Sequence, residues 1–227
     1  MSETFHIISD GSCDLPAELV KERNITVVPF YVSFDEEHYF KENVEIGIRD
    51  FYRMMVEKKG VYPKSSMPSI QDYEDAFLPF AKAQIPVICI CITTKFSGSM
   101  QSALNAKNLI LEKYPQAQIT VIDATINTVL QGQYVLEAAS LRDHGVSYQD
   151  TIARLEEIKS TGRIFFTVGN MEYLKHGGRI GKVAALAGGA LDIRPIITLK
   201  QGEIFPSGID RGRKRTLKGD ESSFRLS

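Results

Sequence analysis

Residues 87–93 (VICICIT) are apolar at almost every position, so this segment reads as a strand buried on both faces. Such a strand needs helices above and below it, which restricts the chain to a layered α/β architecture. Three further β-type runs are read at residues 6–9, 25–32 and 119–122. Helical patterns lie between them at 16–23, 47–58, 70–83, 100–113 and 128–142. In the third of these, Ile70, Tyr73, Phe77 and Phe80 recur at spacings of three and four, the stripe of a core-facing helix. The expected fold is a three-layer, mostly parallel sheet domain, whose strand C-terminal ends form the edge where ligands of open α/β sheets sit.

The pattern changes near residue 160. After a helix at 149–159 come a strand (164–168), a short helix (171–176), a glycine turn and a small-residue stretch at 182–192. A hairpin follows, with arms 194–200 and 203–206 around Gln201-Gly202. The expected organisation is an α/β domain at 1–160, a smaller α+β domain at 161–217, and a polar, flexible tail at 218–227.

Composition narrows the function classes. The 227 residues carry a net charge of −1, so a dedicated nucleic-acid binder is not expected. That average hides a +4 balance over the last 17 residues and −5 over the rest. The three cysteines, Cys13, Cys89 and Cys91, do not make a disulfide framework. The start, MSETFHIISDG, lacks a basic apolar leader, and no apolar run spans a bilayer. A cytoplasmic protein without stable membrane insertion is expected.

Several clusters could carry chemistry. Thr93-Thr94-Lys95-Phe96-Ser97-Gly98-Ser99 joins the buried strand to a helix. Unpaired amides, a favourable dipole and a glycine make such a turn an anion site, although Ser97 or Ser99 could instead simply cap the helix. Lys64-Ser65-Ser66-Met67-Pro68-Ser69 precedes the next-most regular helix. Ser69 and Asp72 suggest a capping box, which leaves Ser65 and Ser66 on a loop, either gripping an anion or merely solvated. Asp10-Gly11-Ser12-Cys13-Asp14 is a third strand-to-helix turn, with Cys13 a poor candidate nucleophile. Cys89 and Cys91 read as small core residues, Asp35-Glu36-Glu37-His38 as a solvated turn, and His144 as a helix end. The glycines at 177–181 do not have P-loop spacing. The segment 182–192 reads as tight packing or as the wall of an apolar slot. No metal set and no catalytic triad emerge.

In their order along the chain these segments resemble the DegV family of bacterial fatty-acid-binding proteins, from His6 to about Leu217. The resemblance is carried by Ile7-Ile8-Ser9-Asp10 with Cys13-Asp14-Leu15-Pro16, by VVPFYVSF at 27–34, and by Ser65-Ser66-Met67-Pro68-Ser69. Phe96-Ser97-Gly98-Ser99 with Gln101-Ser102-Ala103, and Val121-Ile122-Asp123, add to it. Further along, so do Glu172-Tyr173-Leu174-Lys175, Gly177-Gly178-Arg179-Ile180-Gly181-Lys182, Arg194-Pro195-Ile196 and Arg211-Gly212-Arg213-Lys214. The resemblance implies two domains with a long-chain, palmitate-like fatty acid buried between them. It implies that Ser65 and Ser97 hold the carboxylate, with Ser66, Gly98, Arg179, Arg211 and Arg213 as further binding or rim residues. It also implies no cofactor, no catalysis by the chain itself, and a separate fatty acid kinase that receives the carboxylate.

The sequence departs from the family pattern at Ser65 (usually Thr), Met67 (often Gln) and Leu130 (usually Gly). The pattern also continues past Arg-Gly-Arg-Lys to a His-x-Gly-Pro-Gly-like motif. This chain ends at Ser227 without that motif, so it is expected to be short at its C-terminal end. Two alternatives stay open: a small phosphotransfer or hydrolase-type enzyme using the Ser97 turn, and a short form with no competent pocket.

Overall fold

The computed structural model describes residues 4–169, 171–186 and 193–211. They form two compact units, one running to Gly162 and the other starting at Arg163.

In the first unit, β1 (His6–Asp10) and a 3₁₀ turn (Gly11–Cys13) lead to α1 (Ala17–Glu22). Next come β2 (Ile25–Val28), β3 (Tyr31–Ser33), β4 (Phe40–Lys41) and α2 (Ile48–Glu57). They are followed by β5 (Lys64–Ser66), α3 (Ile70–Ala83), β6 (Val87–Cys91) and α4 (Ser99–Lys113). The unit closes with β7 (Ile119–Asp123), α5 (Thr128–Asp143) and α6 (Tyr148–Ile158). Strands β2-β1-β6-β7 form one parallel sheet in that order, in register through Ile7↔Ile25, Ile8↔Cys89 and Ile90↔Ile122.

Alternation along the strands explains the layers. Ile8, Cys89 and Cys91 pack in one cluster with Tyr73, Phe77 and Ala81 of α3 and Ala103, Ala106 and Ile110 of α4. Small residues on α4 let that helix lie close to the strands. Ser9 points to the opposite face, where Gln131 of α5 reaches it. Buried Val135, Ala138 and Leu155 of α5 and α6 continue that layer. Cys89 and Cys91 are therefore core residues, with sulfurs 3.8 Å apart.

Two expectations need correction. The run at 25–32 is not one strand: Pro29 offers no amide to continue the ladder, and the chain leaves the parallel sheet there. Tyr31–Ser33 then joins a separate antiparallel sheet, β4-β3-β5. Ser65 and Ser66, expected on a loop, form β5 and pair with Val32 and Tyr31 of β3. Three polar residues with no apolar alternation gave no sign of a strand, and only pairing with β3 creates it.

In the second unit, β8 (Ile164–Phe166) and α7 (Glu172–His176) lead to a 3₁₀ segment (Gly181–Leu186), then β9 (Ile193–Lys200) and β10 (Glu203–Arg211). β10-β9-β8 is antiparallel. The hairpin turn places both Gln201 (φ 51°) and Gly202 (φ 83°) in the left-handed region, the geometry that matches strand twist. Ile197, Leu199, Ile204 and Val183 are buried. The expected strand at 164–168 stops at Phe166, and the small-residue stretch opens as a 3₁₀ segment. Most of the small-residue stretch, the side chain of Arg211, all of Arg213 and the tail at 218–227 lie outside the described residues. No helix among the described residues is long and apolar enough to cross a membrane.

Candidate functional site

The C-terminal ends of β1 and β6 open into the Gly11–Cys13 turn and the turn at 93–98. In the second turn the amides of Phe96 and Ser97 both donate to the Thr93 carbonyl, which fixes its curvature. Asp123, at the end of β7, accepts from the Thr94 amide and hydroxyl and so braces the outer side. Gly98 is the N-cap of α4 and brings no side-chain cap. The first-turn amides of this 15-residue helix have no intrahelical acceptor and stand at its positive end.

The two serines of the turn have different jobs. Ser99 is fully buried and does not cap: its hydroxyl donates to Asp10 Oδ2 at 2.7 Å and meets Tyr73 Oη at 2.6 Å. Ser97 is half-buried, and its Oγ accepts from the Ser99 amide at 3.1 Å. With that lone pair engaged, the Ser97 O–H remains to donate to a ligand oxygen.

The Ser65 strand meets this turn through Met67. A Cβ built on Gly98 would lie 2.7 Å from Met67 Sδ. Met67 precedes Pro68, which favours an extended backbone there, so Met67 and Ser65 fall on one side and Ser66 on the other. Ser65 is exposed on β5, and Ser66 beside it pairs with Tyr31, which pairs in turn with Lys41. Those two side chains converge on Asp72: Tyr31 Oη donates at 2.9 Å and Lys41 Nζ at 2.8 Å. Ser69 and Asp72 form the expected capping box. Burial opposes ionisation of Asp72, yet the donors Lys41, Ser69 and Tyr31 prevail and hold it down at about 2.

Behind the turn sits Asp10, fully buried. Burial raises its carboxyl to about 6, partly offset by hydrogen bonds from the Ile92 amide, Ser99, Gln131 and the Ser12 amide. An aspartate closing a buried strand, directly before a glycine turn, is the sequence signal that could have marked it.

The remaining candidates resolve as structural. Cys13 is buried, which pushes its thiol up to about 11, so no thiolate nucleophile forms near neutral pH. His6 hydrogen-bonds Thr26 and stacks on Phe80 with ring centroids 3.9 Å apart. Asp35 accepts from the amides of Glu37 and His38 in an exposed turn, and His144 ends α5. Among the described residues there is no group of three or more metal-ligating side chains. Arg179 belongs to the second unit, where its guanidinium donates to the Gly177 carbonyl.

A cavity of about 380 Å³ lies beside the β1 and β2 ends of the first unit. Leu15, Val27, Val32, Ile46 and Phe51 line it together with Asp14 and Glu42. Burial raises both carboxyls, and Glu42 further raises Asp14. This chemistry suits methylenes and repels a carboxylate. Ser65 pairs directly with Val32, so the two share a face of the small sheet.

A parallel sheet with hydroxyl-bearing turns at its C-terminal edge and a companion antiparallel unit define a two-unit α/β protein. The DegV family model, described as "Uncharacterised protein, DegV family", matches residues 4–224. The chain belongs to the DegV family. It is 31% identical over 214 residues to Protein DegV of Bacillus subtilis, covering 93% of this chain and 73% of that one. Among solved structures, a stearic-acid-binding protein from Eubacterium ventriosum superposes with a TM-score of 0.89 at 44% identity, covering 92% of this chain and 72% of that one. The Fatty Acid Kinase (Fak) B3 protein of Streptococcus pneumoniae, loaded with linoleic acid, gives 0.81 at 25% identity, covering 95% and 75%. The chain thus spans about three quarters of the length of these relatives.

Proposed function

We propose that this protein binds a long-chain fatty acid and presents its carboxylate to a separate fatty acid kinase, without catalysing a reaction itself. The observation that supports this reading is the approach of Met67, two residues after Ser65, to the Gly98 turn that carries Ser97. There the carboxylate accepts from Ser65, Ser97 and the first-turn amides of α4 beyond that of Ser99, which is held by Ser97 Oγ. Such charge-assisted bonds contribute about 1.5–3 kcal/mol each and offset the cost of stripping the carboxylate of water.

The methylenes pack on apolar walls, including that of the cavity bounded by Val32 and Phe51. Each buried methylene contributes about 0.8 kcal/mol, so the tail dominates affinity while the hydroxyls set orientation. Membership in a family with fatty-acid-loaded relatives supports the ligand class, and the likeness to the Fak B3 protein supports the kinase partner. Arg179, with Arg211 and Arg213, is assigned to the carboxylate rim or the kinase contact. The three free thiols fit a reducing compartment, and we assign the protein to the cytoplasm.

The test is mass spectrometry of an organic extract from the purified chain, followed by reloading with palmitate. A stoichiometric fatty acid, or saturable reloading, is the expected result. Failure of both overturns the reading. Turnover of ATP or simple esters by this chain alone would favour an enzyme instead.

A further inference from the structure

We propose that Asp10 is the positioning residue of the carboxylate site and takes up one proton from solvent when the ligand carboxylate lodges at the Ser97 turn. The inference rests on the fatty-acid reading and adds to it a second carboxylate and a proton.

Asp10 ties the site together from behind. Its Oδ2 accepts from the Ile92 amide at 2.9 Å, at the end of β6, and from Ser99 Oγ at 2.7 Å, at the start of α4. Its Oδ1 accepts from Gln131 Nε2 of α5 at 2.8 Å. Because Asp10 accepts the Ser99 proton, the Tyr73 hydroxyl is left to donate to Ser99 Oγ. The backbone of that same Ser99 donates to Ser97 Oγ. One buried carboxylate therefore sets the orientation of the residue that orients Ser97.

Asp10 already accepts from the Ser99 hydroxyl at the start of α4, so a carboxylate lodged at the Ser97 turn would place a second negative charge near the same helix start. Two negative charges so placed disfavour each other, and the cheaper arrangement carries one proton. The structure holds an acceptor for that proton. Gln131 Oε1 is fully buried and has no hydrogen-bond partner. Rotating the Gln131 amide by half a turn brings this oxygen toward Asp10 Oδ1, where it accepts the new O–H. The rotation gives up both Nε2 hydrogen bonds, to Ser9 Oγ at 3.2 Å and to Asp10 Oδ1 at 2.8 Å, and turns the amide N–H groups to the side where Oε1 had no partner.

Among the described residues close to Asp10, Tyr73 of α3 is raised well above its ordinary value chiefly by burial, and Cys91 of β6 by its hydrogen bond with Cys89 and then by burial. Cys13 of the first turn titrates at about 11. From α4 and α5 the facing groups are Ser99 and Gln131, which do not titrate. Asp123 is turned to Thr94 and Thr125. Asp10, poised at about 6, is the group in this shell with a proton to gain near neutrality.

The experiment is calorimetric titration of the full chain with decanoate and with decanol between pH 6.5 and 8, in two buffers of different ionisation enthalpy. Decanoate is expected to bind with uptake of about half to one proton, its affinity falling up to about tenfold per pH unit. Decanol is expected to bind with no uptake and a flat profile. Asp10→Asn should bind decanoate with a flat profile, since Asn mimics the protonated state. The proton count needs only the unmodified protein, so the test survives a variant that does not fold. Decanoate binding with negligible uptake, or an Asp10→Asn protein that keeps the slope, overturns the inference while leaving the fatty-acid reading intact. No binding of either ligand, together with no reloading by palmitate, removes both.

Discussion

Met67 Sδ occupies the space into which a side chain on Gly98 would grow, 2.7 Å from an ideal Cβ there. Glycine at the start of α4 is thus required by a neighbour and not by backbone strain, since its φ is −80°. Gly98→Ala is expected to push the flexible thioether aside at a stability cost of no more than about 1 kcal/mol, while weakening fatty-acid binding several-fold. Pairing it with Met67→Ala should restore much of the loss in a double-mutant cycle. Additive losses in that cycle would show that the contact does not organise the site.

Ser97→Ala and Ser65→Ala are each expected to weaken palmitate by about tenfold or more and hexadecanol much less, because only the carboxylate needs charge-assisted donors. Ser66→Ala, on the opposite side of β5, should change neither. Equal losses for acid and alcohol would remove the carboxylate assignment.

Asp10 makes a signed prediction about stability. Its folded value, about 6, lies above the ordinary 3.8, so the native state binds more protons between those limits. Stability from this group therefore grows as pH falls from about 7 toward 4, by up to about 3 kcal/mol. The raised carboxyls of Asp14 and Glu42 act in the same direction. Asp72, held at about 2, works the other way: its contribution is lost as pH falls from about 4 toward 2. Thermal melts should place the maximum Tm between about pH 4.5 and 6, and Asp10→Asn should flatten the acid-side rise. A Tm that climbs steadily from pH 5 to 8 would contradict the buried, ionisable Asp10.

Val32→Phe tests the cavity. The added ring fills space bounded by Leu15, Val27 and Phe51. The expected outcome is a shift in preference toward shorter acyl chains in competition binding, with Ser97-dependent carboxylate recognition unchanged. If palmitate and decanoate keep their wild-type ratio, the methylenes lie elsewhere.

Much of the first unit was legible because its elements are locally specified. The stripe of Tyr73 and Phe77 fixed α3, and the unbroken apolarity of residues 87–91 fixed β6 as a strand covered on both faces. The hairpin around Gln201-Gly202 was legible from its turn pair. Polar β5 was not, because its pairing partner lies more than thirty residues earlier in the chain. Ser97 was singled out from its turn, but whether Ser97 or Ser99 caps α4 could not be read there, since both are hydroxyls at the same helix start.

The sequence by itself determined the alternation of strands and helices, the hydroxyl-bearing turns and the family pattern. Each of these is written in spacings of a few residues, where periodicity and turn chemistry act. Only the tertiary structure decided that Ser99 turns inward to Asp10, that Met67 meets Gly98, and that Ser65 and Ser66 pair with Val32 and Tyr31. Those outcomes depend on which distant segments become neighbours once apolar burial closes the sheet, and no local pattern encodes that.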